Sequence, residues 1–100
     1  MEETALTING YLLSDVLKSH QQWVEDDPNG QRCILDNLTL TDTVLRGVNL
    51  RGAIVRGTTL LDADLSGANL STAVCDFVDF ERAMLSGVDL SAAQISDSQF

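Results

Sequence analysis

One hundred residues with 44 % hydrophobic side chains make a single domain with enough apolar mass for a core, which excludes a disordered chain. The net charge of −9 divides into −4 over residues 1–32 (six acids, two bases) and −5 over residues 33–100 (nine acids, four bases), so acidity belongs to the whole surface. This balance excludes a basic nucleic-acid footprint and docking on anionic membranes, and no stretch approaches the ~20 apolar residues of a membrane span.

Glu2 and Glu3 stand where a secretory signal would place basic residues, and no long apolar run follows, so a cytoplasmic protein is expected. Thr4 to Ile8 alternates weakly and ends at Asn9-Gly10, a turn signal. Ser14 is placed as the N-cap of a helix over about residues 14–24. Its apolar stripe is Leu13, Val16, Leu17, His20, Trp23 and Val24, at the spacing of an amphipathic helix. Asp26-Asp27-Pro28-Asn29-Gly30 then turns the chain. Glu25, Asp27, Asn29 and Gly30, with Asp36 at the twelfth place, imitate a calcium-binding loop. Residues 31–35 already belong to the pattern described next, however, and no helix follows, so no metal site is expected.

From Cys33 the chain reads in fives. The third position of each five is Leu35, Leu40, Leu45, Leu50, Val55, Leu60, Leu65, Leu70, Cys75, Phe80, Leu85, Leu90, Ile95 and Phe100, all apolar. The residue two before each is mostly small, as at Ala53, Ala63, Ala68, Ala73, Ala83 and Ala93, and the residue between them is mostly polar. Glycine recurs two after the large residue at Gly47, Gly52, Gly57, Gly67 and Gly87. A helix loses such a face within a few repeats, and a continuous strand flips it at every odd step. A chain that turns a corner every five residues keeps it, and four sides close a coil of twenty.

These residues, clearest in Ala63-Asp64-Leu65-Ser66-Gly67 and Ala68-Asn69-Leu70-Ser71-Thr72, resemble the A-(D/N)-L-x-x pattern of the pentapeptide-repeat family. The resemblance covers residues 33–100, fourteen repeats in register. It implies an all-β solenoid, a right-handed quadrilateral β-helix of about 3.5 coils, here with a short helical N-terminal cap. Residues 1–32 form that N-terminal segment, since a solenoid needs its open apolar end covered. They resemble the helical leader that precedes many such domains, with His20 and Trp23 ahead of Gly30 and Arg32.

No catalytic constellation, cofactor site or metal site emerges. His20 is the only histidine, with no nucleophile and orienting group placed beside it, and reads as a semi-buried part of the helix. Cys33 and Cys75 lie two coils apart, about 10 Å at the strand spacing, beyond disulfide reach. Arg46, Arg51, Arg56 and Arg82 are dispersed and form no phosphate clamp.

Residues twenty apart form columns, and one outward column breaks the polar rule: Ile34, Ile54 and Val74, with Phe77 at the adjoining corner and Leu61 beyond it. Three readings stay open for this stripe: β-branched residues that suit a flat sheet, a contact face, or a surface covered by residues 1–32. The repeat runs to Phe100, so the last turn is expected to show Phe80, Leu85, Leu90, Ile95 and Phe100. Either further chain continues the stack, or this end joins another molecule, as in related pentapeptide proteins that dimerise end to end. The function expected is a non-enzymatic protein-interaction or scaffolding module. The alternative implied by the resemblance is an acidic mimic of DNA that acts on a type II topoisomerase such as DNA gyrase. The acidity suits that alternative; a body roughly 17 Å tall, at ~4.8 Å per layer, is short for it.

Overall fold

A computed structural model describes residues 6–8 and 10–100 of the chain. Thr4 and Asn9, read above as part of a strand and a turn, lie outside the described residues. Strands β1 (Thr7–Ile8) and β2 (Tyr11–Leu12) pair antiparallel and lead into helix α1 (Leu13–Val24). Strands β3 (Ile34–Asp36), β4 (Ile54–Arg56), β5 (Val74–Asp76) and β6 (Gln94–Ser96) follow, stacked in parallel in that order with a register of twenty.

The other three sides carry the same register as single bridges. One ladder runs Thr39, Thr59, Asp79 and Gln99, another Val44, Asp64 and Met84, and the last Asn49, Asn69 and Asp89. Each layer bonds in both directions: Leu45 N–H donates to the Asp64 carbonyl at 2.7 Å, and Asp64 N–H donates back to the Thr43 carbonyl at 3.0 Å. Corners close through short turns such as Ala63 N–H to the Leu60 carbonyl at 2.9 Å. These bonds use the backbone groups that a buried chain must satisfy, and they hold the corners in one shape.

That shape is left-handed at one position per repeat. From Asn37 to Asp97, every fifth residue has φ between 52° and 72°. Glycine fills five of these positions and tolerates them without cost, and Asn37, Asp42, Asp62 and Asp97 are types that accept the conformation. Thr72, Phe77, Arg82 and Ala92 have no such excuse, and each is strained by about 1–2 kcal/mol. The glycine pattern therefore understates the rule: the corner, and not the residue type, is what repeats.

The interior is a column of leucines with alanines beside them. Leu40, Leu45, Leu50, Leu60, Leu65 and Leu70 are buried, as are Ala53, Ala63, Ala68 and Ala73. Ile8 joins this core, although the sequence pattern did not single it out. Leu6, Leu13, Val16 and Leu17 pack against the same cluster.

Three expectations are corrected. Ser14 is not the N-cap. Leu12 holds that place in extended backbone (ψ 139°) with no side-chain cap, because β2 runs straight into the helix and Leu13 N–H is taken by the Leu6 carbonyl at 2.8 Å. Trp23, counted in the apolar stripe, sits at the rim and is 36 % exposed. Phe80, expected at the bare end, is only 2 % exposed, because Phe100 stacks on it with ring centroids 4.8 Å apart and planes 7° from parallel. The helix ends in a tight reversal: Asp26 takes φ 63°, its N–H bonds the Trp23 carbonyl, and Asp27 N–H bonds the Gln22 carbonyl at 2.9 Å. No described helix is long and apolar enough to cross a membrane.

Candidate interaction surfaces

The first surface is the face of β3–β6. Parallel stacking at a register of twenty places Ile34, Ile54 and Val74 side by side on its outside. Ile34 is exposed at 44 %, and Ile54 and Val74 are half-buried. Phe77, at the corner after β5, is 64 % exposed with φ 55°, and Leu61 is half-buried one corner further on, at the far end of the Thr59–Asp79 side. Val44 and Met84, also exposed, belong to a different ladder and do not extend the stripe. Asp36 pairs with Arg56 at 3.5 Å along the stripe's border, while Asp76 accepts from Ser96 Oγ at 2.9 Å.

The second surface is the last coil. Of the five residues expected there, Leu85, Leu90 and Ile95 are half-buried, Phe100 is exposed and Phe80 is buried.

The third is the junction of α1 with the first coil, which sequence reasoning largely missed. His20 has 0 % exposure; its Nε2 lies 2.8 Å from the Arg51 carbonyl, and Cys33 N–H reaches its Nδ1 at 2.9 Å. Trp23 stacks on His20 with centroids 5.4 Å apart, and the Arg32 guanidinium lies 5.2 Å from the Trp23 ring centre. Gly30 is obligatory there, because a Cβ would fall 2.2 Å from Trp23 N. The His20, Trp23, Gly30 and Arg32 spacing thus records one packed unit. The signal was present in the sequence, but its geometry was not.

The titratable groups read as structural. Burial pushes the Cys33 and Cys75 thiols up to about 11, so neither is a ready nucleophile. Asp64 is held down at about 2, first by hydrogen bonds from Ser66 and then by Arg46, whose Nε donates at 3.0 Å. Asp62 raises Arg82 through a bond of 2.8 Å. Among the described residues, Arg46, Arg56 and Arg82 of the coil are paired with aspartates. In the calcium-like stretch, the Asp27 carboxylate accepts Asn29 N–H at 2.9 Å and Asp36 pairs with Arg56. Among the described residues, no three histidine, cysteine or acidic side chains gather as metal ligands.

Comparison with known proteins agrees with this geometry. The chain is similar to a pentapeptide-repeat protein of the Arabidopsis thaliana thylakoid lumen, at 32 % identity and a TM-score of 0.54, over 66 % of this chain and 49 % of that one. It is similar to a pentapeptide-repeat protein of the cyanobacterium Cyanothece 51142, at 28 % identity and a TM-score of 0.52, over the same shares. The chain thus spans about half the length of these solved structures. No protein among those of curated function matches it. The four ladders are, by these likenesses, the sides of a right-handed quadrilateral β-helix. The profile of the pentapeptide repeats matches eight copies across residues 31–62 and 63–100, and with a left-handed corner at every fifth residue from Asn37 to Asp97, the chain belongs to the pentapeptide-repeat family.

Proposed function

We propose that this chain is a non-enzymatic interaction module that contacts a protein through the stripe of Ile34, Ile54, Val74, Phe77 and Leu61. The family is generally non-enzymatic, which supports the class of the reading. The observation that carries the surface is Phe77. A large aromatic ring is exposed to water at a corner with positive φ, where the neighbouring layers hold Asn37, Gly57 and Asp97. Strain and exposure both disfavour it, and a partner that covers the ring would offset both. In this reading the fourteen repeats, at four to a coil, form about 3.5 coils, and residues 1–32 cap the first. Leu85, Leu90, Ile95 and Phe100 offer a second surface on which a further layer, of this chain or another copy, would stack.

A photoreactive residue at position 77, expressed in the native host, tests the stripe. A discrete crosslinked protein, lost when Ile54→Lys is added to a chain that still folds, supports it. A folded chain with no crosslinked species at position 77 removes it. The DNA-mimic reading is favoured by one observation, the net charge of −9. Purified gyrase whose supercoiling is unaffected by micromolar protein would dispose of that reading.

A further inference from the structure

His20 stands where a backbone rung is missing. Within the coil, the left-handed residue of each corner donates its N–H to a carbonyl nineteen residues on: Gly52 to Ser71 and Thr72 to Ser91, both at 2.9 Å. By that rule the Arg51 carbonyl belongs to Arg32 N–H. It receives the His20 ring instead, and the next main-chain donor, Cys33 N–H, also ends on the same ring. Beside it, Gln21 Oε1 accepts from Asn49 Nδ2 at 2.7 Å, and Gln31 N–H bonds the Ser19 carbonyl and hydroxyl at 3.1 and 3.0 Å. Polar side chains of α1 thus take the place of a strand over the edge at Asn49–Arg51.

The two ring contacts leave one protonation state. A main-chain N–H only donates, so Nδ1 must be bare; a carbonyl only accepts, so Nε2 must carry the proton. The groups facing the ring are Trp23 from the helix, and the Arg51 carbonyl, the Cys33 N–H and the Arg32 charge from the coil. Among the described residues no carboxylate bonds the ring. Burial lowers the ring's pKa from its ordinary 6.5; the Arg51 carbonyl works the other way, and the Arg32 charge adds to the lowering.

We propose that His20 is an acid-operated latch: a proton on Nδ1 sets two N–H groups against each other at Cys33 and releases α1 from the first coil, uncovering the Asn49–Arg51 edge. The direction follows from linkage. In the released state the ring returns to its ordinary 6.5, above its value when latched, so the released state takes up the proton first. The latch is fully held above 6.5 and weakens as pH falls below it. An uncovered edge presents free main-chain groups to a pairing strand, so acid would convert a closed end into a reactive one.

The chain holds one histidine and one tryptophan, so both reporters are unambiguous. The test is an NMR titration from about pH 8 to about pH 4.5, with amide-exchange protection of Cys33 and Trp23 emission followed in parallel. The expected result is a ring titrating below 6.5, with a loss of Cys33 protection of at least about tenfold and an emission change at the same midpoint. In His20→Gln, whose amide offers one donor and one acceptor but takes up no proton here, neither reporter should move. The latch is overturned if the ring titrates while Cys33 stays protected, or if His20→Gln shows the same acid transition. Should His20→Gln not fold, the wild-type chain decides by itself. Parallel loss at Cys33 and at the central Leu65 amide would mean global unfolding and would refute a local latch.

Discussion

Two glycines of the same conformation separate the cost of a corner from the cost of what lies above it. Gly47 has φ 70° with nothing near an added Cβ, whereas Gly52 has φ 72° with Trp23 Cζ3 and Cη2 at 3.0 and 3.1 Å from that position. Alanine in the left-handed region costs about 1–2 kcal/mol, and the stiffer unfolded chain returns about 0.5–1 kcal/mol of it. Gly47→Ala should therefore lose about 0–1.5 kcal/mol, at about 4–8 °C of Tm per kcal/mol in a domain of this size. Gly52→Ala should lose that and more, because the Trp23 ring must back away by a few tenths of an ångström from its seat against His20 and Arg32. A weakened cation–π contact at an exposed site accounts for about 0.5–1 kcal/mol. Thermal melts by circular dichroism, read beside the emission of the single tryptophan, distinguish the two. Emission should shift in Gly52→Ala alone. Equal losses of Tm with emission unmoved in both variants would refute the packing argument, and a stabilised Gly47→Ala would refute the corner argument. Gly47→Asn should cost less than Gly47→Ala, since Asn37 already occupies such a corner at φ 56°.

Leu65→Ala, at the middle of the core with 0 % exposure, should destabilise by about 3–5 kcal/mol in urea unfolding, and Leu85→Ala, half-buried in the last layers, by clearly less. Asp64 sits at about 2 when folded and at its ordinary 3.8 when unfolded. Its share of stability is therefore complete above 3.8 and lost as pH falls toward 2, and Asp64→Asn should flatten that part of the Tm-against-pH curve. Gly30→Ala drives a methyl into the Trp23 backbone at 2.2 Å, and amide exchange should show residues 13–24 opened while the Leu65 amide keeps its protection.

The repeated part of the molecule was legible because its period carries the geometry. A leucine at every fifth position points inward only if the chain bends each time, and Leu45, Leu65 and Leu85 then share one column whatever their neighbours are. The parts misread are those decided between elements. Ser14 is a good cap residue by type, but a hairpin that runs on into the helix moved the boundary to Leu12. Phe80 follows the same inward rule as its neighbours, and only the stacked Phe100 ring removes it from the surface. His20 and Trp23 occupy adjacent turns of one helical stripe, yet one is sealed and the other is at the rim. That difference is set by the Arg51 carbonyl and the Cys33 N–H, which lie far along the chain. The left-handed state of Thr72, Phe77, Arg82 and Ala92 was hidden because side-chain type at a corner follows the ladder bonds and does not set them.

The register of twenty that joins β3 to β6 has a consequence for length. It behaves as a phase. Removal of one residue from a side displaces every later side chain by one step relative to the layers before it, so that leucines fall where aspartates should be and every ladder bond that spans the cut loses its partner. Removal of twenty residues, from Ile54 through Ala73, rejoins Ala53 to Val74 with the phase intact, since those two cuts fall at equivalent points of successive layers. A chain of this kind tolerates editing in whole turns and resists it in fractions, and its thickness is accordingly a counted quantity.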